Sequence, residues 1–106
     1  MSGHLREICI RAIQNDERIS EAVKKKVDAI TNIEIHRFDS SYLEFLESQI
    51  ELSPRGPEWA ERLKKRMKNI SEYTDQELAR CSLDDSNERF AFEIDPITQT
   101  VIHWEN

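Results

Sequence analysis

The chain has 106 residues, 38% apolar and 34% charged, with a formal net charge of −6 and only two glycines and three prolines. That length allows one modest core with little surplus for a deep cleft, and the acidic balance argues against broad binding to nucleic acid or anionic membranes. No run approaches the ~18 apolar residues of a membrane span, and "MSGHLREICIRAIQ" carries no signal-peptide pattern, so a cytoplasmic protein without membrane contact is expected.

In chain order, Leu5, Ile8, Cys9 and Ala12 recur at the spacing of one helical face, widened by Ile10 and Ile13. "QND" interrupts it, and Asn15 or Asp16 is the expected cap of a second helix, with Ile19, Ala22, Val23, Val27 and Ile30 on one stripe. "NIEIHRF" (32–38) alternates Ile33 and Ile35 with Glu34 and His36 and reads as a short strand. "DSSYLEFLESQIEL" opens on capping residues and continues with Tyr42, Phe45, Leu46, Gln49 and Ile50 at helical spacing.

"SPRGP" (53–57) is a loop signal that delivers Pro57 to the first position of a further helix. Trp59, Ala60, Leu63, Met67 and Ile70 form its stripe. Thr74-x-x-Glu77 has the form of a capping box and predicts a short helix through Arg80. After the turn "DDSNE", Phe90, Phe92 and Ile94 share one strand face, Asp95-Pro96-Ile97-Thr98 turns the chain, and Thr100, Ile102 and Trp104 share a face of the return strand.

A hairpin of two strands is barely stable alone, so a third strand, "NIEIHRF", and a helical layer are expected to support it. The predicted fold class is α+β in a single domain, 1–106. Four to five helices pack on a small, mainly antiparallel sheet that ends in a C-terminal β-hairpin.

Cys9 and Cys81 stand far apart without metal or redox spacing and are expected to be reduced, buried and inert. His4, His36 and His103 lack ligand spacing; His36 and His103 meeting across neighbouring strands would make an incomplete metal site. Gly3 and Gly56 form no phosphate-cradling loop, and the 21 acidic residues show no cleft-forming pair. No catalytic residue, metal site or cofactor is therefore predicted, and the protein is not expected to be an enzyme.

Charge is unevenly spread. Residues 55–68 hold six basic and two acidic side chains, whereas residues 71–95 hold two basic and eight acidic ones and residues 34–51 add a further −4. The acidic segments suggest a surface for a basic protein, with Tyr73, Asp84, Asp85, Glu88 and Trp104 as partner-binding candidates. The basic set Arg55, Arg62, Lys64, Lys65, Arg66 and Lys68 reads first as a solvated helix face balanced by acids, and alternatively as a helix, 57–70, that touches nucleic acid.

"NISEYTDQEL" (69–78) resembles the "ISDYTEAEF" stretch that opens the second helix of the colicin DNase immunity proteins, small acidic four-helix inhibitors. The resemblance spans about ten residues and implies a small acidic inhibitor of bacterial type, without assigning a role to any residue. The expected function is a non-catalytic immunity or antitoxin-type inhibitor that masks the basic active site of a nuclease-like toxin. The alternative is a regulatory or adaptor protein using the basic helix on nucleic acid.

Overall fold

The first helix, Ser2–Asn15 (α1), presents Ile8, Cys9, Ala12 and Ile13 as a continuous buried face. The computed structural model describes residues 2–84 and 88–105, the first two by backbone alone. Asp16 follows in a turn rather than as a cap; Ser20 caps a four-residue helix, Glu21–Lys24 (α2), by accepting from the Val23 N–H. A 3-10 turn, Val27–Ala29, completes what the periodicity predicts as one longer helix. The break changes the backbone but not the burial: Ile19, Val23, Val27 and Ile30 all reach the core, while Ala22 is exposed. Arg6 bridges back to this segment, donating to the carbonyls of Ile30 (2.7 Å) and Asp28.

Strand Thr31–Arg37 (β1) follows, then helices Ser40–Leu52 (α3) and Pro57–Ile70 (α4) and a 3-10 turn at Ser71–Tyr73. Three strands close the chain: Glu77–Asp84 (β2), Arg89–Asp95 (β3) and Thr100–Glu105 (β4). The fold is α+β, with one four-stranded sheet in the order β1-β2-β3-β4. Neighbours β2/β3 and β3/β4 are antiparallel.

The predicted helix through Arg80 is overturned: residues 77–84 are strand. No capping box forms, since Thr74 donates its hydroxyl to the Ser71 carbonyl (2.9 Å). The segment alternates Ala79, Cys81 and Leu83 toward the core, and pairing with β3 satisfies its backbone along six residue pairs. Consequently the strand that supports the closing hairpin is β2, not "NIEIHRF", and β1 is an edge.

A second correction lies in β4. The register shifts between Glu93 and Ile94, so that Phe92 faces Trp104 but Ile94 faces Val101. This bulge puts Val101 and Trp104 against the same core and removes Ile102 from the face expected for it.

The chain divides into two compact units: residues 1–36 with 77–106, and residues 37–76. In the first, α1, the α2 segment and the core face of the sheet enclose Cys9, Ala12, Ile13, Ile19, Val27, Ile30, Ala79, Cys81, Leu83, Phe92 and Ile94. The second is the α3/α4 hairpin, inserted in the sequence between β1 and β2.

Candidate interaction surface

Asp39 caps α3 by accepting from the Tyr42 N–H (2.9 Å), and Ser53, in the left-handed region at φ 43°, ends the helix while donating to the Gln49 carbonyl. Gly56 at φ 98° then turns the chain into Pro57, the first residue of α4. A side chain would be strained in that backbone conformation, which explains one of the chain's few glycines. Leu46 on α3 and Ala60 on α4 are buried.

Above this hairpin core stands an aromatic stack. The rings of Phe38 and Tyr42 are parallel at 5.1 Å, and Phe45 leans on Tyr42 at 6.4 Å. Arg66 of α4 lies over both Phe38 (5.4 Å) and Tyr42 (5.6 Å) and donates to the Tyr42 hydroxyl (2.7 Å). The stack therefore fixes Tyr42 by ring contact, cation–π attraction and a hydrogen bond together. Phe45 is held on one side only and remains 56% exposed. Leu52, two turns along, is 70% exposed.

Glu44, Glu47 and Glu51 run beside these two side chains at i, i+3 and i+7 and are exposed. Helix α3 contains no lysine or arginine. None of the three carboxylates forms an ion pair among the described residues. Its solvent face is thus a row of negative charge bordered by two large apolar groups. Leu46 and Ile50 bear out the predicted stripe as its buried and half-buried members; Phe45 departs from it.

The basic set on and before α4 is partly committed. Arg66 serves the aromatic stack, Arg55 covers the Trp59 ring at 5.9 Å, and Lys64 pairs with Glu61 at 3.2 Å. Arg62, Lys65 and Lys68 are exposed, interspersed with Glu58 and Glu61.

The partner-binding candidates chosen from sequence occupy different settings. Asp84 ends β2, exposed and 3.1 Å from the Arg89 guanidinium; Glu88 is exposed just before β3, so these two stand at either end of the β2–β3 connection. Asp85 lies outside the described residues. Trp104 is half-buried against the core of its unit, opposite Phe92. Tyr73 is half-buried in the 3-10 turn after α4, in the other unit.

Topology separates the histidines. His36 is on β1 and His103 on β4, the two edges of the sheet, three strand spacings or about 14 Å apart. No cluster able to hold a metal ion occurs among the described residues. His36 Nε2 instead lies 2.9 Å from Glu34 Oε1, and the imidazole beside it holds that exposed carboxyl below the usual carboxylate range. His103, expected in solvent, is buried: it lies opposite buried Glu93, with Nε2 3.3 Å from Glu105. Alternation along β4 already sets His103 on the face away from Trp104; sequence reasoning missed its burial because that depends on contacts made across strands and layers.

A groove of about 330 Å³ runs between the end of α1 and the β3–β4 turn, lined by Ala12, Asn15, Asp16, Arg18, Gln99 and Val101 among others. Arg18 closes one wall: its backbone and guanidinium donate to Asp16, and Nη2 also reaches the Val101 carbonyl (2.9 Å). Its hydrogen bonds to Asp16 hold that carboxyl below its ordinary range against the opposing effect of burial.

No family model, curated protein or solved structure matches the chain. The α3 surface, the groove and the buried Glu93–His103 pair accordingly stand on their own geometry. Of the three, only the α3 surface combines exposed apolar area with uncompensated charge, the pairing that protein interfaces use.

Proposed function

We propose that the protein is a small acidic binding domain that acts without catalysis. In its most concrete form it is an immunity or antitoxin-type inhibitor covering the basic substrate site of a nuclease-like toxin. The observation that carries this reading is the exposed, uncompensated carboxylate row of α3, Glu44, Glu47 and Glu51. A nuclease binds polyanionic substrate through lysines and arginines, and a surface bearing carboxylates competes for the same groups.

The test is purification of the chain from its native cells under gentle conditions. The expected product is a complex with one basic protein, whose nuclease activity returns when the complex is dissociated. The reading of α4 as a nucleic-acid helix rests on exposed Arg62, Lys65 and Lys68. It predicts instead DNA or RNA affinity that falls steeply with added salt. Such affinity, abolished by Lys64→Glu, Lys65→Glu and Lys68→Glu together, would put the adaptor reading in place of the inhibitor.

A further inference from the structure

We infer that the outer face of α3, built from Glu44, Phe45, Glu47, Glu51 and Leu52, is the docking surface, and that its occupant is a basic amphipathic segment of a protein partner. This rests on the proposed reading of the protein as a binder of basic partners and assigns that role to a specific face.

Three observations lead to it. Phe45 and Leu52 are the two most exposed large apolar side chains on the helices, and both stand on α3 two turns apart. Exposed apolar area gathered on one face and rimmed by polar groups marks interaction sites, whereas singly scattered side chains do not. Phe45 is also set in place beforehand: its ring rests on Tyr42, which Phe38 and Arg66 hold from other sides. An anchor already ordered in the unbound protein loses little conformational freedom on binding.

The charge row selects the partner's chemistry. Glu44, Glu47 and Glu51 repel nucleic acid and anionic lipid, and they complement a segment that flanks its apolar side chains with lysine or arginine. The seven-residue separation of Phe45 and Leu52 spans about 10 Å, so a helical partner meets them with side chains that are likewise two turns apart. The turn chosen from sequence is a weaker site by comparison, because Asp84 is already paired with Arg89 and Trp104 packs on its own core.

The experiment uses the full chain, isotopically labelled, and three peptides of about 18 residues. One is a lysine–leucine helix with its leucines on one face, one has the same composition scrambled, and one is all lysine. The expected result is that the amphipathic peptide shifts amide resonances of residues 41–52 and binds at least tenfold more tightly than the other two. Phe45→Ser with Leu52→Ser, and Leu52→Ser alone, should weaken it tenfold or more and several-fold respectively at unchanged helicity. Glu44→Gln, Glu47→Gln and Glu51→Gln together should weaken binding and flatten its salt dependence.

Shifts confined to Asp84–Arg89 would overturn the α3 assignment and leave the acidic-binder reading standing. Equal affinity for all three peptides would do the same, by showing that charge alone acts. Absence of binding to any peptide at low salt would remove the reading itself. Shifts at 41–52 that depend on protein concentration without peptide would make a second copy the occupant and overturn the proposal.

Discussion

The thiols of Cys9 on α1 and Cys81 on β2 meet inside the same core, 0% and 2% exposed. That contact, together with burial, pushes the Cys81 thiol up and away from thiolate formation. Two residues with no sequence relationship thus join the first helix to the strand that the local sequence disguises as a helix.

Both thiols should resist alkylation in the folded protein and react fully after unfolding, because neither sulfur meets solvent until the core opens. Mass spectrometry before and after denaturation checks this. A quantitative Cys9–Cys81 disulfide in freshly lysed cells would overturn it.

Asp16 and Arg18 should contribute stability that depends on pH. Hydrogen bonds from Arg18 depress the folded pKa of Asp16 below its unfolded value, so the stabilisation is complete above the ordinary carboxylate value of ~3.9 and disappears as pH falls through the folded one. Asp16→Asn should cost about 1–2 kcal/mol at neutral pH, the low end for a hydrogen bond to a charged group, because water screens the largely exposed Arg18 guanidinium. Urea unfolding of both proteins should show that gap closing on the acid side; a constant gap would mean the charge is irrelevant.

Phe92 is fully buried between Cys81 and Trp104 on the neighbouring strands, with Phe90 stacked at 6.5 Å. Phe92→Ala should cost about 3–5 kcal/mol, a large share of a small domain's stability. A thermal midpoint unchanged within a degree or two would show that the strand faces the other way.

The bulge in β4 predicts unequal effects of two adjacent substitutions. Val101→Ala removes two buried carbon atoms from the core and should cost about 1.5–3 kcal/mol. Ile102→Thr, at a half-buried position outside that core cluster, should cost about half as much or less. Chemical denaturation of the two variants settles the register, and the reverse ranking would restore uninterrupted alternation.

Much of this fold was legible in the sequence. The i, i+3, i+4, i+7 spacing from Leu5 marks α1, "DSSYLEF" marks the start of α3, Pro57 marks α4, and Phe90-x-Phe92-x-Ile94 marks the core face of β3. These signals are local: periodicity and capping act between residues a turn or a strand step apart. The acidic excess over residues 34–51 was equally visible, although it did not by itself resolve Glu44, Glu47 and Glu51 into one row on α3. That Phe45 and Leu52 stay beside it in solvent was not, because exposure depends on what packs against a face and not on the face alone.

What only the tertiary structure decided follows from the same distinction. "TDQELAR" carries helical signals, yet 77–84 is a strand, because pairing with β3 and burial of Ala79, Cys81 and Leu83 outweigh a capping preference of about 1 kcal/mol. The bulge that selects Val101 over Ile102, the meeting of Cys9 with Cys81, and the burial of His103 opposite Glu93 likewise arise between strands or layers. A sequence specifies each side chain's neighbours along the chain; contacts across it exist only once the backbone hydrogen bonds of separate segments have been satisfied together.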